Sequence, residues 1–338
     1  MATAASARAA LVTGGAGFIG SHLAERLLAA GYTVHILDNE TTGLRANVPL
    51  GATYQRGDVS RAEDVEAAFA RKASSAPPYA VVLHVAGQAS TIRSFADPGG
   101  DFATNALGTM NVVQACLRHR VGRLLFASSM TVYGAPSRVP TPETELCAPV
   151  SYYGISKYAA ERFVLATAAR PDLAAPFHAT AFRMFNVYGE RQRLDNPYQG
   201  VAGFFIGSAL AGAPITIHGT GEQSRDFVHI DDVARAWLGA IDAQGAYNRV
   251  FNVGEGRRRS INELVDTVLA AVGRSRADYP LLSGPRRPGD QEHMQADTQA
   301  LRAAIGWSPQ VSFAEGMRRT IAWARAQAHA KEENARPG

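Results

Sequence analysis

The sequence predicts a doubly wound α/β protein, in which a parallel sheet carries helices on both faces and is followed by a smaller mixed α/β C-terminal lobe. Three observations lead there. Strand and helix patterns alternate through the first half, a glycine-rich turn joins the first strand to the first helix, and beyond Asn186 the rhythm gives way to loops rich in glycine and proline. The 338 residues, 46% hydrophobic and 19% charged, suffice for one large or two medium domains with a substantial core.

Residues 9–13 (Ala-Ala-Leu-Val-Thr) read as a short buried strand, and Gly14-Gly-Ala-Gly17-Phe18-Ile19-Gly20 opens a helical pattern carrying Leu23, Leu27 and Leu28. Strand, glycine loop, helix is the order of a Rossmann-type unit. Its glycines let backbone approach a pyrophosphate, and the helix N-terminus offers unpaired N–H groups to the anion. A second strand, Thr33-Val-His-Ile-Leu37, ends in Asp38, near the spacing of about 20 residues expected from the loop. That carboxylate can accept both ribose hydroxyls of an adenosine. It would also repel a 2′-phosphate, and Asn39 brings no positive charge to offset the repulsion, so NAD is expected over NADP.

The pattern continues with a helix near 61–72, a strand at 80–85, a helix near 101–119, a strand at 123–127, a helix from Ser151 to about Ala169, and a strand at 177–184. Helices near 200–211, 231–243, 260–272 and 312–327 follow, with shorter strands at Ile215–His218 and 250–253. We expect an NAD-binding Rossmann domain over 1–185, with part of 215–255 returning to its sheet, and a substrate-binding lobe over 186–330. The 74–78 segment, Ser-Ser-Ala-Pro-Pro, reads as a surface loop. Ligands belong at the carboxyl ends of the parallel strands.

Composition excludes several classes. The formal charge is only +4, and Arg257-Arg258-Arg259, Arg286-Arg287 and Arg318-Arg319 are short and scattered, so no nucleic-acid stripe is expected. No apolar run approaches the 18 or so residues that span a bilayer, and residues 1–7 read as a loose tail. Cys116 and Cys147 give no disulfide framework, which fits a reducing cytoplasm. The nine histidines form no metal-ligand motif, and no metal is expected.

Tyr153-Gly-Ile-Ser-Lys157 places a phenol and an ammonium at i and i+4, on one helix face. A phenol beside a fixed positive charge becomes a better acid-base group near neutral pH. Tyr152 and Tyr158 lack a lysine four residues on and read as packing or rim residues.

Together, Gly14-Gly-x-Gly-Phe-Ile-Gly20, Phe126-Ala-Ser-Ser-x-x-Val-Tyr-Gly134, Tyr153-x-x-x-Lys157, Arg183-x-Phe-Asn186-Val-Tyr-Gly189 and Arg225-Asp-Phe-Val-His-Ile-Asp-Asp232 resemble the extended short-chain dehydrogenase/reductase family. The likeness is to its nucleotide-sugar epimerase/dehydratase group, above all the UDP-glucose 4-epimerase branch, and runs in order from residue 9 to about 325. It implies that a hydride passes from C4 of a nucleotide-linked sugar to NAD while Tyr153 takes the proton of the C4 hydroxyl. Lys157 would lower the phenol's pKa and hydrogen-bond the nicotinamide ribose. Ser129 matches the hydroxyl that assists the proton shuttle, with Ser128 as a structural alternative bonding backbone; Thr131 would stand at the sugar.

The resemblance further places Gly14, Gly17, Phe18, Ile19, Gly20, Asp38, Asn39, Asp58, Val59, Val85, Ala86, Gly87 and Asn105 at the cofactor. Asn105 also reads as a helix-packing amide, and Asp58 as an Asx turn or helix cap. Dehydratases of the family carry Asp-Glu after the serine and decarboxylases a glutamate beside it, whereas this chain has Met130-Thr131. That leaves reversible oxidation at C4, most simply interconversion of UDP-glucose and UDP-galactose. Asn186, Arg225 and Arg287 match diphosphate-holding positions. Glu190 replaces a proline of many relatives, Arg193 in Arg191-Gln-Arg193 resembles hexuronate-specific relatives, and Met294 matches the position facing the sugar's 2-substituent. UDP-glucuronate or UDP-N-acetylhexosamine 4-epimerases, a 4-ketoreductase and a non-catalytic NAD-sensing regulator are the alternatives. A homodimer, paired through the helices before and around Tyr153, is implied by the resemblance alone.

Overall fold

The structure is a computed structural model that describes residues 8–70, 79–195, 200–286 and 290–335, and side chains as far as 328. The 74–78 loop and Arg287 lie outside the described residues. In chain order the elements are β1 (Ala9–Thr13), α1 (Phe18–Ala29), β2 (Thr33–Asp38), β3 (Thr53–Arg56), α2 (Ala62–Ala70), β4 (Val81–His84), α3 (Thr91–Ala96), α4 (Pro98–Phe102), α5 (Gly108–Arg118), β5 (Arg123–Ser129), α6 (Tyr152–Ala168) and β6 (His178–Met184). The second half continues with β7 (Asn186–Tyr188), α7 (Val201–Ala211), β8 (Ile215–His218), β9 (Ser224–His229), α8 (Ile230–Ala240), β10 (Arg249–Val253), β11 (Arg258–Ser260), α9 (Ile261–Ala271), β12 (Leu281–Gly284), α10 (Gln299–Ile305) and α11 (Phe313–Ala335).

Seven strands form one parallel sheet in the order β10-β6-β5-β4-β1-β2-β3. Successive side chains of a strand leave on opposite faces, and a parallel sheet is covered on both, so its strands read as nearly continuous apolar runs. Ala10, Val12, Ile36, Leu83, Leu125, Phe182 and Phe251 accordingly pack with Leu23 and Leu27 of α1, Trp237 of α8 and Leu301 of α10. Leu11, Leu37, Val82, Leu124 and Phe126 turn the other way, onto Phe69 of α2, Val112 and Cys116 of α5, and Val164 of α6.

The second lobe has its own core of Phe205, Ile206, Phe227, Leu264, Val268, Phe313 and Met317. Around it stand the small sheets β11-β9-β7 and β12-β8. The 215–255 stretch divides between the two cores: β8 and β9 stay in the lobe, while α8 and β10 lie on the main sheet. Arg123, almost wholly buried at the start of β5, fastens α8 there by donating to the carbonyls of Ala240 (2.7 Å) and Ile241 (2.8 Å) at its C-terminal end. A cation suits that negative end of the helix dipole.

Polar and charged contacts join α1 to the lobe and to the start of α8. His22 meets the Glu190 carbonyl at 2.9 Å, Arg26 pairs with Asp231 at 2.7 Å, and Glu25 pairs with Arg191. Arg319 of α11 reaches both Glu190 (3.0 Å) and Asp231 (2.8 Å), so Glu190 serves this bridge.

Candidate active site

The sheet changes its winding direction at β1, which pairs with β2 on one side and β4 on the other. A crevice opens outside the carboxyl ends of the strands at such a switch point. The loops after β1 and β4 and the ends of β2 and β5 converge there.

Gly14 has φ +72°, and an added Cβ would fall 2.7 Å from the Ala86 nitrogen. Gly20 is tighter still, because a Cβ there would sit 2.1 Å from the Gly14 carbonyl oxygen. Gly17 is the N-cap of α1 without a side-chain cap, leaving helix N–H groups for an anion. Phe18 and Ile19 follow, half-buried, in the first turn of α1.

Asp38, 7% exposed at the end of β2, accepts from the Ala16 N–H (2.9 Å) and the Glu40 N–H (2.7 Å). Burial raises its pKa against these hydrogen bonds, and each carboxylate oxygen retains a second lone pair for a ribose hydroxyl. Asn39 donates to Asp58 at 2.8 Å, and Asp58 also accepts from the N–H and hydroxyl of Ser60. The Asx turn is therefore present, and Asn39 adds a tie to the β2 end. Val59 packs beneath Gly108, while Val85 and Ala86 line the β4 loop beside Gly14.

Helix α4 runs into α5 through a π-helical turn, Ala103–Leu107, that carries Asn105. Such turns often mark functional sites. The Asn105 amide donates to Ser156 Oγ (3.0 Å) and the Gln88 carbonyl (3.0 Å), while its buried Oδ1 has no hydrogen-bond partner. A Cβ on Gly87 would lie 2.8 Å from that oxygen and 3.6 Å from Lys157 Nζ. An orphaned acceptor beside a glycine cradle fits a dinucleotide.

Ser129, closing β5, accepts from Thr131 Oγ1 at 3.0 Å and lies near enough to Tyr153 to draw its pKa down. Tyr153 lies in the first turn of α6, which Ser151 caps by accepting from the Gly154 N–H at 3.1 Å. Gly154 permits the meeting: a Cβ there would stand 2.8 Å from the Thr131 carbonyl oxygen. Ser128 points elsewhere, donating to the Glu161 carboxylate at 2.6 Å rather than to backbone.

Electrostatics depart from the simple i, i+4 expectation. Burial pushes the Tyr153 phenol up to about 12, with Asp101 adding to the rise and Ser129 opposing it. Burial also pushes the Lys157 ammonium down to about 8 against the carboxylates of Asp101 and Glu161. Lys157 Nζ lies over the Phe126 ring, 4.4 Å from its centre, and faces Gly87.

The proposed sugar and diphosphate residues are more dispersed. Asn186 begins β7 with its Oδ1 buried and unpartnered. Arg225 is buried on β9, donating to the Ser224 carbonyl and paired with Asp290. Arg193 stands apart in a surface pair with Asp195 at 2.8 Å, because that acid lies two residues away. Met294 is wholly buried against Met130, Tyr133 and Phe185, so it has no surface of its own to offer a sugar. Gly154, Gln88, Ser156 and Asp101 complete the site without having been singled out in the sequence. Among the described residues, no His/Cys/Asp/Glu group could hold a metal ion, and no helix is long and apolar enough to cross a membrane.

Known proteins resemble this one along nearly the whole chain. A putative UDP-glucose 4-epimerase of Methanocaldococcus jannaschii is 35% identical over 93% of this chain and 97% of its own. A UDP-glucose 4-epimerase of Mycolicibacterium smegmatis is 36% identical over 93% and 98%. Among solved structures, the UDP-glucose 4-epimerase of Thermotoga maritima with UDP-glucose superposes with TM-score 0.88 at 34% identity, covering 95% of this chain and 99% of that one. The Thermus thermophilus enzyme with NAD gives 0.85 at 36% identity, covering 94% and 99%. Residues 10–254 match the model of the NAD dependent epimerase/dehydratase family, and the chain belongs to that family.

Proposed function

We propose that this protein is an NAD-dependent nucleotide-sugar 4-epimerase that interconverts UDP-glucose and UDP-galactose through a transient 4-keto sugar. The observation that carries the reading is the nearness of Ser129 to Tyr153, with Lys157 one turn further along α6, and with Met130 and Thr131 where a further acid-base pair would stand. Bound NAD would supply hydride acceptance and return at C4. Tyr153 would take and return the proton of the C4 hydroxyl, with Ser129 relaying it. Lys157 would hold the nicotinamide ribose.

Gly14, Gly17 and Gly20 would admit the pyrophosphate, Asp38 the adenosine ribose, and Asn105 the ribose and amide side of the cofactor. Asn186 and Arg225 would hold the sugar nucleotide's diphosphate, the guanidinium having donors beyond those given to Ser224 and Asp290. Fixed at the diphosphate, the keto sugar can turn and present its other face. Arg193, held by Asp195, gives no support to a hexuronate substrate.

The test is incubation with NAD and a panel of UDP- and dTDP-hexoses in ordinary and deuterated water. The reading requires C4 epimers, no solvent deuterium at C5 and no net reduced cofactor. Failure to invert any sugar, or stoichiometric consumption of NADH, would overturn it.

We also infer a homodimer in a reducing cytoplasm. Ile92, Phe95, Phe102, Leu107, Tyr152 and Ile155 leave an exposed apolar face on α3 to α6, and such faces mark interfaces. Cys116 and Cys147 are free thiols. Sedimentation should give a dimer that Tyr152→Asp with Phe95→Asp converts to monomer.

A further inference from the structure

Behind the proposed centre lies a buried carboxylate that the proton transfer does not use. Asp101, in the last turn of α4, is 2% exposed. It accepts from Ser156 Oγ at 2.5 Å, from the Gln88 amide at 2.7 Å and from the Asn105 amide at 3.2 Å. All three donors are neutral. A buried carboxylate pairs with a cation or takes a proton, because desolvating an isolated charge is costly.

The surrounding charges identify its partner. Glu161, the other acid near Lys157, is matched by the guanidinium of Arg183 at 2.6 Å. His84, on β4 beside Lys157, is wholly buried between Thr13 and Thr109, and burial with the Lys157 charge pushes it down to about 3, so it is neutral. Tyr153, on the same helix, is a phenol and brings no positive charge in either protonation state. Among the described residues, Lys157 is a buried cation whose charge Asp101 supports.

We infer that Asp101 is a positioning residue for the Tyr153/Lys157 pair, a buried counter-charge that keeps Lys157 cationic and, through Ser156 and Asn105, locks α6 to the π-turned helix beside the cofactor crevice. The geometry makes the coupling short. Ser156 precedes Lys157 in the chain, and Asn105 Nδ2 bonds both Ser156 and Asp101. A neutral lysine would lose the charge and one of the three donors on which its ribose role depends. With burial already bringing Lys157 to about 8, loss of Asp101 would lower it further, toward neutral pH.

This rests on the epimerase reading for its catalytic meaning, but not for its test. The Lys157 titration is read directly by NMR of protein carrying 13Cε-labelled lysine, the resonance being assigned by its loss in Lys157→Arg. In Asp101→Asn, which keeps the shape and can still accept from Ser156, the midpoint should fall by about one pH unit or more. Asp101→Ser, neutral and still an acceptor, carries the same test if the amide misfolds. An unchanged midpoint in a folded neutral variant would overturn the inference.

Activity then separates the two claims. Asp101 raises both Tyr153 and Lys157, so both limbs of the kcat profile should move to lower pH in Asp101→Asn; a merely structural role would lower kcat with the limbs in place and would overturn the inference. If the wild type inverts no sugar while the NMR midpoint falls, the epimerase reading fails and the role of Asp101 stands.

Discussion

Arg183 and Glu161 form a buried two-point ion pair, Nη2 to Oε1 at 2.6 Å and Nε to Oε2 at 3.0 Å, joining β6 to α6 directly beneath the end of β5. Ser128 donates to the same carboxylate, and the guanidinium lies 4.7 Å from the centre of the Tyr133 ring. Tyr133 in turn donates to Asn252 of β10 at 2.6 Å. The strand that presents Ser129 is thereby fastened from below, and Ser128 and Ser129 have separate tasks although they are adjacent.

Removing Glu161 should therefore be severe. Glu161→Ala leaves a buried guanidinium without its counter-charge, which costs roughly 3–5 kcal/mol. Urea unfolding should show a lower midpoint with an unchanged slope. A loss within experimental error would mean that Arg183 finds another partner.

At the cofactor loop, Gly20→Ala should abolish retention of NAD with little change in the rest of the fold. The added methyl meets the Gly14 carbonyl oxygen at 2.1 Å, and this is backbone, which cannot swing aside as the end of a flexible side chain would. Nucleotide released from acid-precipitated protein should fall roughly tenfold or more, a change of about 1.4 kcal/mol at the least.

The two serines and Tyr153 can be sorted kinetically. Tyr153→Phe should lower kcat about 10²- to 10⁴-fold, the range of one acid-base group, while NAD stays bound. Ser129→Ala should fall on the same side. Ser128→Ala should instead lower stability by about 1.5–3 kcal/mol, the worth of one hydrogen bond to a charged group, since Glu161 Oε2 keeps only the Arg183 Nε donor, with a smaller effect on kcat. Steady-state rates beside denaturation curves distinguish the patterns.

Lys157 makes stability depend on pH with a definite sign. Its folded pKa of about 8 lies below the ordinary 10.5, so between those values the unfolded chain holds a proton that the folded protein has released. Stability from this group then rises with pH, by about 3 kcal/mol across the window. Tyr153, raised from 10.0 to about 12, acts oppositely above pH 10. Comparing Lys157→Met with wild type from pH 7 to 10 should show the stability advantage of the variant shrinking; a constant difference would contradict the assignment.

Local pattern made the nucleotide half legible. The glycine loop, Asp38 and the i, i+4 pair at Tyr153 each announce themselves within a few residues, and the first six strands of the main sheet, β3 aside, follow from short apolar runs. β3 (Thr-Tyr-Gln-Arg) was missed because it is an edge strand with half-exposed side chains. β9 was missed because its charges are buried: Asp226 accepts the N–H groups of Glu255, Gly256 and Ala296, none near it in sequence. Asp101 was hidden for the same reason, since an acid in a helix reads as solvated until Ser156, 55 residues later, is placed on it. Met294 and Arg193 show the opposite limit, since a resemblance in sequence gives their positions but not which way their side chains turn, one into the core and the other onto Asp195.

The edge position of β10 sets an order on how the protein can come into being. The strand beside β6, the helix carrying Trp237 and the later Leu301 and Trp307 all cover the sheet's first face from segments made after residue 229. A nascent chain released from the ribosome only as far as β6 would present an open strand edge and bare apolar surface, both prompts for aggregation. The two halves are thus not separable modules, and a gene fragment ending near residue 185 should yield insoluble protein in place of a free-standing dinucleotide binder.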